Sequence, residues 1–268
     1  MALTRPCLFA RSLLSGTWNK RVRHCNGRYF TTTTFRSEAD DEVDFFRSFI
    51  TSNWPPQSSI DYFNSIPWTS RILKDPTYEP LPFYSRHPFP SGENAPFSRL
   101  TNTNDTIPHL LSCRLRDLKT PPPLVSGSAV IKPAAVLPEV LVLLSLQPGL
   151  NAHPTLCHGG FQGVIFDEII RFLILVHYNN DLTSQPDSIP RDGPRVRHYT
   201  LRMGIEYFAP VTTPTDVLVR ASLKRRVGRK WVATADMVDQ EGKVLSRAES
   251  LWVTAKSREE QKGLEGSG

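Results

Sequence analysis

The chain has 268 residues, enough for one large domain or one domain with extensions. Its formal net charge of +6 raises nucleic acid as a partner, but the placement of that charge argues against it: residues 1–37 hold seven basic residues (Arg5, Arg11, Lys20, Arg21, Arg23, Arg28, Arg36) and no acid. Taking those seven from the 32 Lys and Arg leaves 25 against 26 acids, a net of −1 and no basic footprint for nucleic acid.

Residues 1–37 are Arg-rich, Ser/Thr-rich and acid-free, the composition of a mitochondrial presequence. The run Arg28–Ser37 looks like a two-step processing site, cut after Tyr29 and again after Ser37. The expected compartment is the mitochondrial matrix, with the cytoplasm as the alternative. Cys7 and Cys25 would leave with the presequence. Cys113 and Cys157 are too few for a disulfide framework and lack metal-ligand spacing. The most apolar stretch before the centre of the chain, residues 135–146, is broken by Pro138 and Glu139, so no run reaches the ~18 residues of a membrane span.

From residue 38 five acids (Glu38, Asp40, Asp41, Glu42, Asp44) precede Phe45, Phe46, Phe49 and Ile50, which predicts a short amphipathic helix docked on the domain or on a partner. Residues 55–123 carry 13 of the 23 prolines together with many aromatics, and are expected to form an extended arm on the domain surface. Asn102–Thr106 reads as a turn. Strands are expected at Leu110–Leu118, Ser128–Val136 and, most clearly, Glu139–Leu146. A helix follows over Gly159–Tyr178, apolar on nearly every side except at Asp167, Glu168 and Arg171, and therefore buried. After a polar loop at 179–195 come four strands at hairpin spacing: Val196–Pro210, Val217–Val227, Lys230–Val238 and Lys243–Thr254. Gly228 and Asp239–Gly242 supply the turns. The pattern predicts an α+β domain, a long antiparallel sheet around one buried helix.

The buried helix opens with His158-Gly159-Gly160. A helix N-terminus gathers unpaired N–H groups and partial positive charge, and glycines leave them open to a close oxygen. Asp167 follows nine residues after the histidine, ~14 Å on at ~1.5 Å per residue. The two belong to one small site only if a second chain contributes, which points to a site shared across a dimer interface.

Together, the strand, the HGG opening a buried helix, the Asp nine residues after the His, Tyr207-Phe208-Ala209-Pro210 (a Y-x-x-P) and the hairpin 229-RKWVATADMVDQEGKVLSRAESLWV-253 resemble the hotdog-fold acyl-CoA thioesterase superfamily. The subgroup resembled is the HGG type, similar to phenylacetate-pathway and THEM-type thioesterases. The likeness covers about Glu139–Thr254; the N-terminal extension more loosely resembles fungal mitochondrial members. The implied layout is a presequence at 1–37, an amphipathic helix and Pro-rich extended arm at 38–108, a hotdog domain at 109–256 and a disordered tail at 257–268.

The resemblance implies that the Gly159 N–H forms an oxyanion hole, that His158 orients the thioester, and that Asp167 of the opposite subunit is general base or nucleophile. The residues themselves also allow an ordinary Asp167–Arg171 helix pair. Glu168 is the competing carboxylate, either a second base or a buried partner of Arg202 or His177. Thr200 would position the attacking water, or is a plain strand threonine. Gly160 and Phe161 would line the substrate, while Arg225 and Arg226, in the basic run 224–230, are a solvated edge or a partner for coenzyme A phosphates. Cys157 beside His158 has no orienting third group and reads as a core or loop cysteine.

One departure stands out. Those relatives carry an Asn six residues before the His, where this chain has Ala152, with Asn151 one further back. Either the loop has an insertion or that water ligand is missing. The activity implied is metal-free thioester hydrolysis to a carboxylic acid and free coenzyme A. No cofactor is implied beyond the coenzyme A of the substrate, and the protein would be a homodimer or dimer of dimers. The alternatives are a hydrolase or dehydratase acting on a carrier-bound acyl or polyketide intermediate, and a non-catalytic hotdog module of a mitochondrial assembly.

Overall fold

The computed structural model describes residue 46 and residues 49–89, 92–121, 124, 139–184 and 197–255, all within one compact unit. The expected presequence, the strand at 128–136, the loop from 185 to 195 and the tail at 257–268 lie outside the described residues.

Two helices, α1 (Gln57–Ser65) and α2 (Pro67–Leu73), precede strands β1 (Tyr78–Leu81), β2 (Leu110–Leu115) and β3 (Glu139–Leu146). A small hairpin of β4 (Asn151–His153) and β5 (Leu156–Cys157) leads into the long helix α3 (Gly159–Ser184). Strands β6 (His198–Tyr207), β7 (Thr215–Val227), β8 (Lys230–Val238) and β9 (Val244–Thr254) follow. Seven strands form one sheet in the order β1-β2-β3-β7-β8-β9-β6, with every neighbouring pair antiparallel. Helix α3 packs on one face of it, against β3, β6, β7 and β8. This α+β arrangement of antiparallel sheet and buried helix fits the hotdog expectation. No helix among the described residues is long and apolar enough to cross a membrane.

Strand β3 explains its own composition. Val140, Val142, Leu144 and Leu146 enter the core built on α3 (Phe166, Ile169, Ile170, Leu173), while Leu141 and Leu143 face the other way, into a second core with Phe63, Leu111, Cys113 and Leu218. A strand covered on both faces reads as an unbroken apolar run rather than an alternation. In the β7–β8 and β8–β9 turns Gly228 and Gly242 have φ of +52° and +81°, which an L side chain adopts only with strain.

The second core overturns the extended arm expected at 38–108. Residues 57–73 fold as α1 and α2, which supply Phe63, Ile60, Ile66, Trp68 and Ile72 to the sheet's outer face, and β1 pairs with β2 as an edge strand. The prolines do not oppose this. Pro56 is the N-cap of α1 and Pro67 lies in the first turn of α2, where a missing N–H breaks no helical bond. The Thr69 hydroxyl donates to the Phe63 and Ile66 carbonyls and holds the corner between the helices. Ahead of them, Phe46 and Phe49 are buried edge-on against Tyr84, so the described part of the amphipathic segment docks on this domain. Helix α3 also runs to Ser184, beyond the expected end at Tyr178.

Truncating a fully buried Phe costs about 3–5 kcal/mol. Phe63→Ala is therefore expected to lower the urea-unfolding free energy of the full chain by about that much. A change under about 1 kcal/mol would return α1 to the status of a surface strap.

Candidate active site

His158 precedes the first turn of α3 and its backbone N–H donates to the Leu150 carbonyl (2.8 Å). The next two amides differ. Gly160 N–H donates to Nδ1 of His158 (2.8 Å), so that nitrogen is unprotonated and the neutral ring carries its proton on Nε2. A Cβ at Gly160 would lie 3.0 Å from the ring, so any larger residue there would press on the histidine. Phe161 and Gln162 N–H both point to the His158 carbonyl. Gly159 N–H has no acceptor among the described residues. Of the two glycines, Gly159 is the one with a free donor, and Gly160 fixes the histidine. Phe161 is 37% exposed and meets the His158 ring edge-on.

Tyr207, at the end of β6, closes over this turn. Its hydroxyl donates to the Gly159 carbonyl (2.9 Å), and its ring would lie 3.2 Å from any Cβ at Gly159. The residue belongs to the Y-x-x-P motif, but nothing in that motif's spacing announces this contact.

Asp167 lies two turns along α3, ~12 Å from Gly159 at ~1.5 Å per residue. Its carboxylate accepts a hydrogen bond from the Thr200 hydroxyl (2.7 Å). Burial pushes its pKa up, opposed by the Thr200 hydrogen bond and by the charge of Arg171. Arg171 itself bonds elsewhere: Nη1 donates to Asn94 Oδ1 (2.8 Å), Nη2 to Glu93 (3.2 Å), and Glu168 is 3.8 Å away. The i, i+4 helix pair is therefore not formed, and Thr200 and Asp167 come together instead.

Glu168 departs from both of its expected partners. It accepts from the Ser85 hydroxyl and pairs with Arg171. Arg202 is on exposed β6, and His177 bonds Thr120. Burial is the largest influence on Glu168 and raises its pKa. Ser85, Glu93 and Asn94 escaped the sequence reading because they lie 77 to 83 residues from their partners.

The loop before His158 holds Asn151 and Ala152 in an irregular pairing. The β4–β5 pairing shifts between Asn151 and His153, making Ala152 the extra residue of a bulge and setting Asn151 opposite Cys157. Asn151 accepts from the Thr213 hydroxyl. Cys157 and Cys113 are free and buried, with thiols pushed up to about 11 and about 12 by desolvation, so both are inert at neutral pH. No His/Cys/Asp/Glu group among the described residues could hold a metal ion.

Arg226 lies in register with the site. Thr200 faces Trp252, Trp252 faces Trp231 and Trp231 faces Arg226 across four strands, ~14 Å at ~4.8 Å per strand. The Arg226 guanidinium stacks on Trp231 (4.2 Å), and Arg225 is exposed beside a bulge in β7.

No family model and no curated protein matches the chain. Solved structures similar to it include the E. coli PaaI protein from the phenylacetic acid degradation operon (13% identity, TM-score 0.35, covering 44% of this chain and 74% of that one). Others are a hypothetical thioesterase protein with coenzyme A from Streptococcus pneumoniae TIGR4 (17%, 0.35, 45% and 80%) and zebrafish thioesterase superfamily member 2 (17%, 0.35, 46% and 78%). Likenesses this distant transfer no activity; the architecture stands on its own strand order and buried helix.

The Thr200 hydroxyl favours the charged form of Asp167, so Thr200→Val should raise its pKa further. Carboxyl titration of Asp167 by 13C NMR is expected to move to higher pH; an unmoved titration would show that the two side chains do not meet in solution.

Proposed function

We propose that the protein is an acyl-CoA thioesterase, acting without a metal as a homodimer in the mitochondrial matrix. The observation that carries this reading is the pairing of an open Gly159 N–H at the start of α3 with Asp167, whose carboxylate is raised by burial and held by the Thr200 hydroxyl. One group suits a developing oxyanion and the other the deprotonation of water.

The two groups lie too far apart on one helix to act on one carbonyl. Strand β6 offers the solution. It is an edge strand, and Tyr199 (49%), Leu201 (53%) and Tyr207 (53%) are exposed on it. Long apolar edges are rarely left bare. Antiparallel pairing of β6 with a second copy, centred near Met203 and Gly204, sets Tyr207 of one copy opposite Thr200 of the other. Gly159 then approaches the second copy's Asp167.

In the resulting site Gly159 N–H donates to the thioester oxygen and the Nε2–H of His158 orients it, beside Phe161. Asp167 takes a proton from water as the water oxygen adds to the carbonyl carbon. The tetrahedral oxyanion collapses, the C–S bond breaks, and the thiolate of coenzyme A recovers the proton from Asp167. The carboxylic acid and free coenzyme A are the products. Glu168 is excluded from this chemistry by Ser85 and Arg171, and Arg225 and Arg226 offer charge for the phosphates of coenzyme A.

Losing a general base lowers turnover by about 10²–10⁴-fold. Asp167→Asn is expected to do so on the best substrate among short, medium, long and aromatic acyl-CoAs, measured by thiol release with the full chain. Full activity in the variant would refute the mechanism. An absence of turnover by folded wild-type protein on every acyl-CoA would redirect the search to a carrier-bound substrate, for which the basic turn at 224–230 would be the docking edge.

The shared site makes a separate prediction. Asp167→Asn and His158→Ala subunits, each inactive alone, should regain hydrolysis when refolded together, to about a quarter of the wild-type level, because half of the dimers are mixed and each mixed dimer has one intact site. No recovery would place both groups in a site made by one chain.

A further inference from the structure

The residues around Arg171 form a built constellation outside the proposed catalytic groups. Asn94 is buried with φ of +60°; its amide nitrogen donates to the Tyr84 carbonyl (3.3 Å) and its amide oxygen accepts from Arg171 (2.8 Å). Glu93 pairs with the same guanidinium (3.2 Å), and the Tyr84 ring lies beneath it (5.4 Å). Salt bridge, amide and aromatic face together draw Arg171 toward the segment that precedes β2. Without them, an acid followed four residues later by a base on one helix is the favoured orientation for an ion pair, and Asp167 is that acid.

We propose that Tyr84, Glu93 and Asn94 set the protonation of Asp167 by holding Arg171 away from it, as positioning residues. The device rests on the reading of Asp167 as the base for its catalytic meaning, but not for its electrostatics. The groups that face Asp167 are Arg171 and Glu168 on its own helix and Thr200 on β6, while Glu93 acts through Arg171. His198, on β6 and within the influence of Arg171, is driven down to about 3 by burial and stays neutral, so it adds no charge to the balance. Removing the acid that restrains Arg171 brings positive charge to Asp167 and favours its ionised form. Removing Arg171 itself takes positive charge away.

The test is the 13C NMR titration of the Asp167 carboxyl in the full chain, with Asp167→Asn assigning the resonance. Glu93→Gln should move the titration to lower pH, by about one pH unit for a cation brought within several ångströms. Asn94→Gly, which keeps the backbone conformation and removes the acceptor, should move it the same way. Arg171→Met should move it to higher pH. A role confined to packing gives no reason for opposite shifts. An unmoved titration in both Glu93→Gln and Asn94→Gly overturns the proposal, as does a shift to higher pH in either. If Arg171→Met does not fold, Arg171→Lys supplies the third measurement, because its shorter reach to Glu93 and Asn94 should lower the Asp167 titration. The acid limb of the pH–rate profile separates this device from its catalytic meaning. A limb that follows the carboxyl supports both, whereas a shifted carboxyl with an unmoved limb keeps the device and discards Asp167 as the base.

Discussion

From Gly159 to Tyr178 helix α3 is enclosed on most sides, and this stretch carries three charges. That conflict organises the rest of the site. A charge withdrawn from water costs several kcal/mol unless a partner or hydrogen bonds replace the lost hydration. Asp167, Glu168 and Arg171 each find a replacement from elsewhere in the chain: Thr200 on the edge strand for Asp167, and Ser85, Glu93 and Asn94 in the segment before β2 for Glu168 and Arg171. The apolar length of the helix fixes it inside the sheet, and its charges decide what must surround it there.

The region ahead of β2 therefore has two tasks that a surface arm could not perform. Its first half covers the outer face of the sheet and makes β3 a strand with two buried sides. A polar pin secures it: the Tyr62 hydroxyl donates to Asp216 (3.0 Å) and lies 3.2 Å from Ser145, while the ring stacks on His109 (4.1 Å). Its second half crosses to α3, where Phe83 packs on Phe172 (4.8 Å) and Ser85 reaches Glu168. The two halves grip the sheet–helix layer from opposite sides.

Local periodicity made most of the domain legible. Strand β3 and β8 fall where their patterns end, β7 and β9 differ by a residue or two, and the glycines mark both hairpin turns. The same reasoning misreads the start of the Pro-rich stretch 55–123, because proline density reads as a sign of extended chain. Pro56 and Pro67 instead stand at helix starts, and α1 and α2 are nine and seven residues long, too short to show strong periodicity. The run Asn179–Ser184 looked like a loop for its polarity, but a helix already propagating adds each residue at little further cost. In the site, spacing identified the HGG turn and Asp167 because both lie on one helix. It could not supply Ser85, Glu93 or Asn94, whose contacts exist only once the chain has folded back. The bulge at Ala152 likewise exists only in the pairing of β4 with β5.

Asp167 and Glu168 are adjacent carboxylates with different fates, and helix geometry is enough to separate them. One residue is ~100° of rotation at 3.6 residues per turn. That turn carries Asp167 toward Thr200 on the edge strand β6, and Glu168 toward Ser85 and Arg171, inside the chain's own extension. Burial raises both, so desolvation alone does not choose between them. The choice lies in the partners. A carboxylate held by a single hydroxyl keeps lone pairs for a water molecule, whereas one held by a serine and an arginine is committed to the fold. On the proposed reading, the N-terminal region removes the competing acid and draws off the cation that would otherwise neutralise the remaining one.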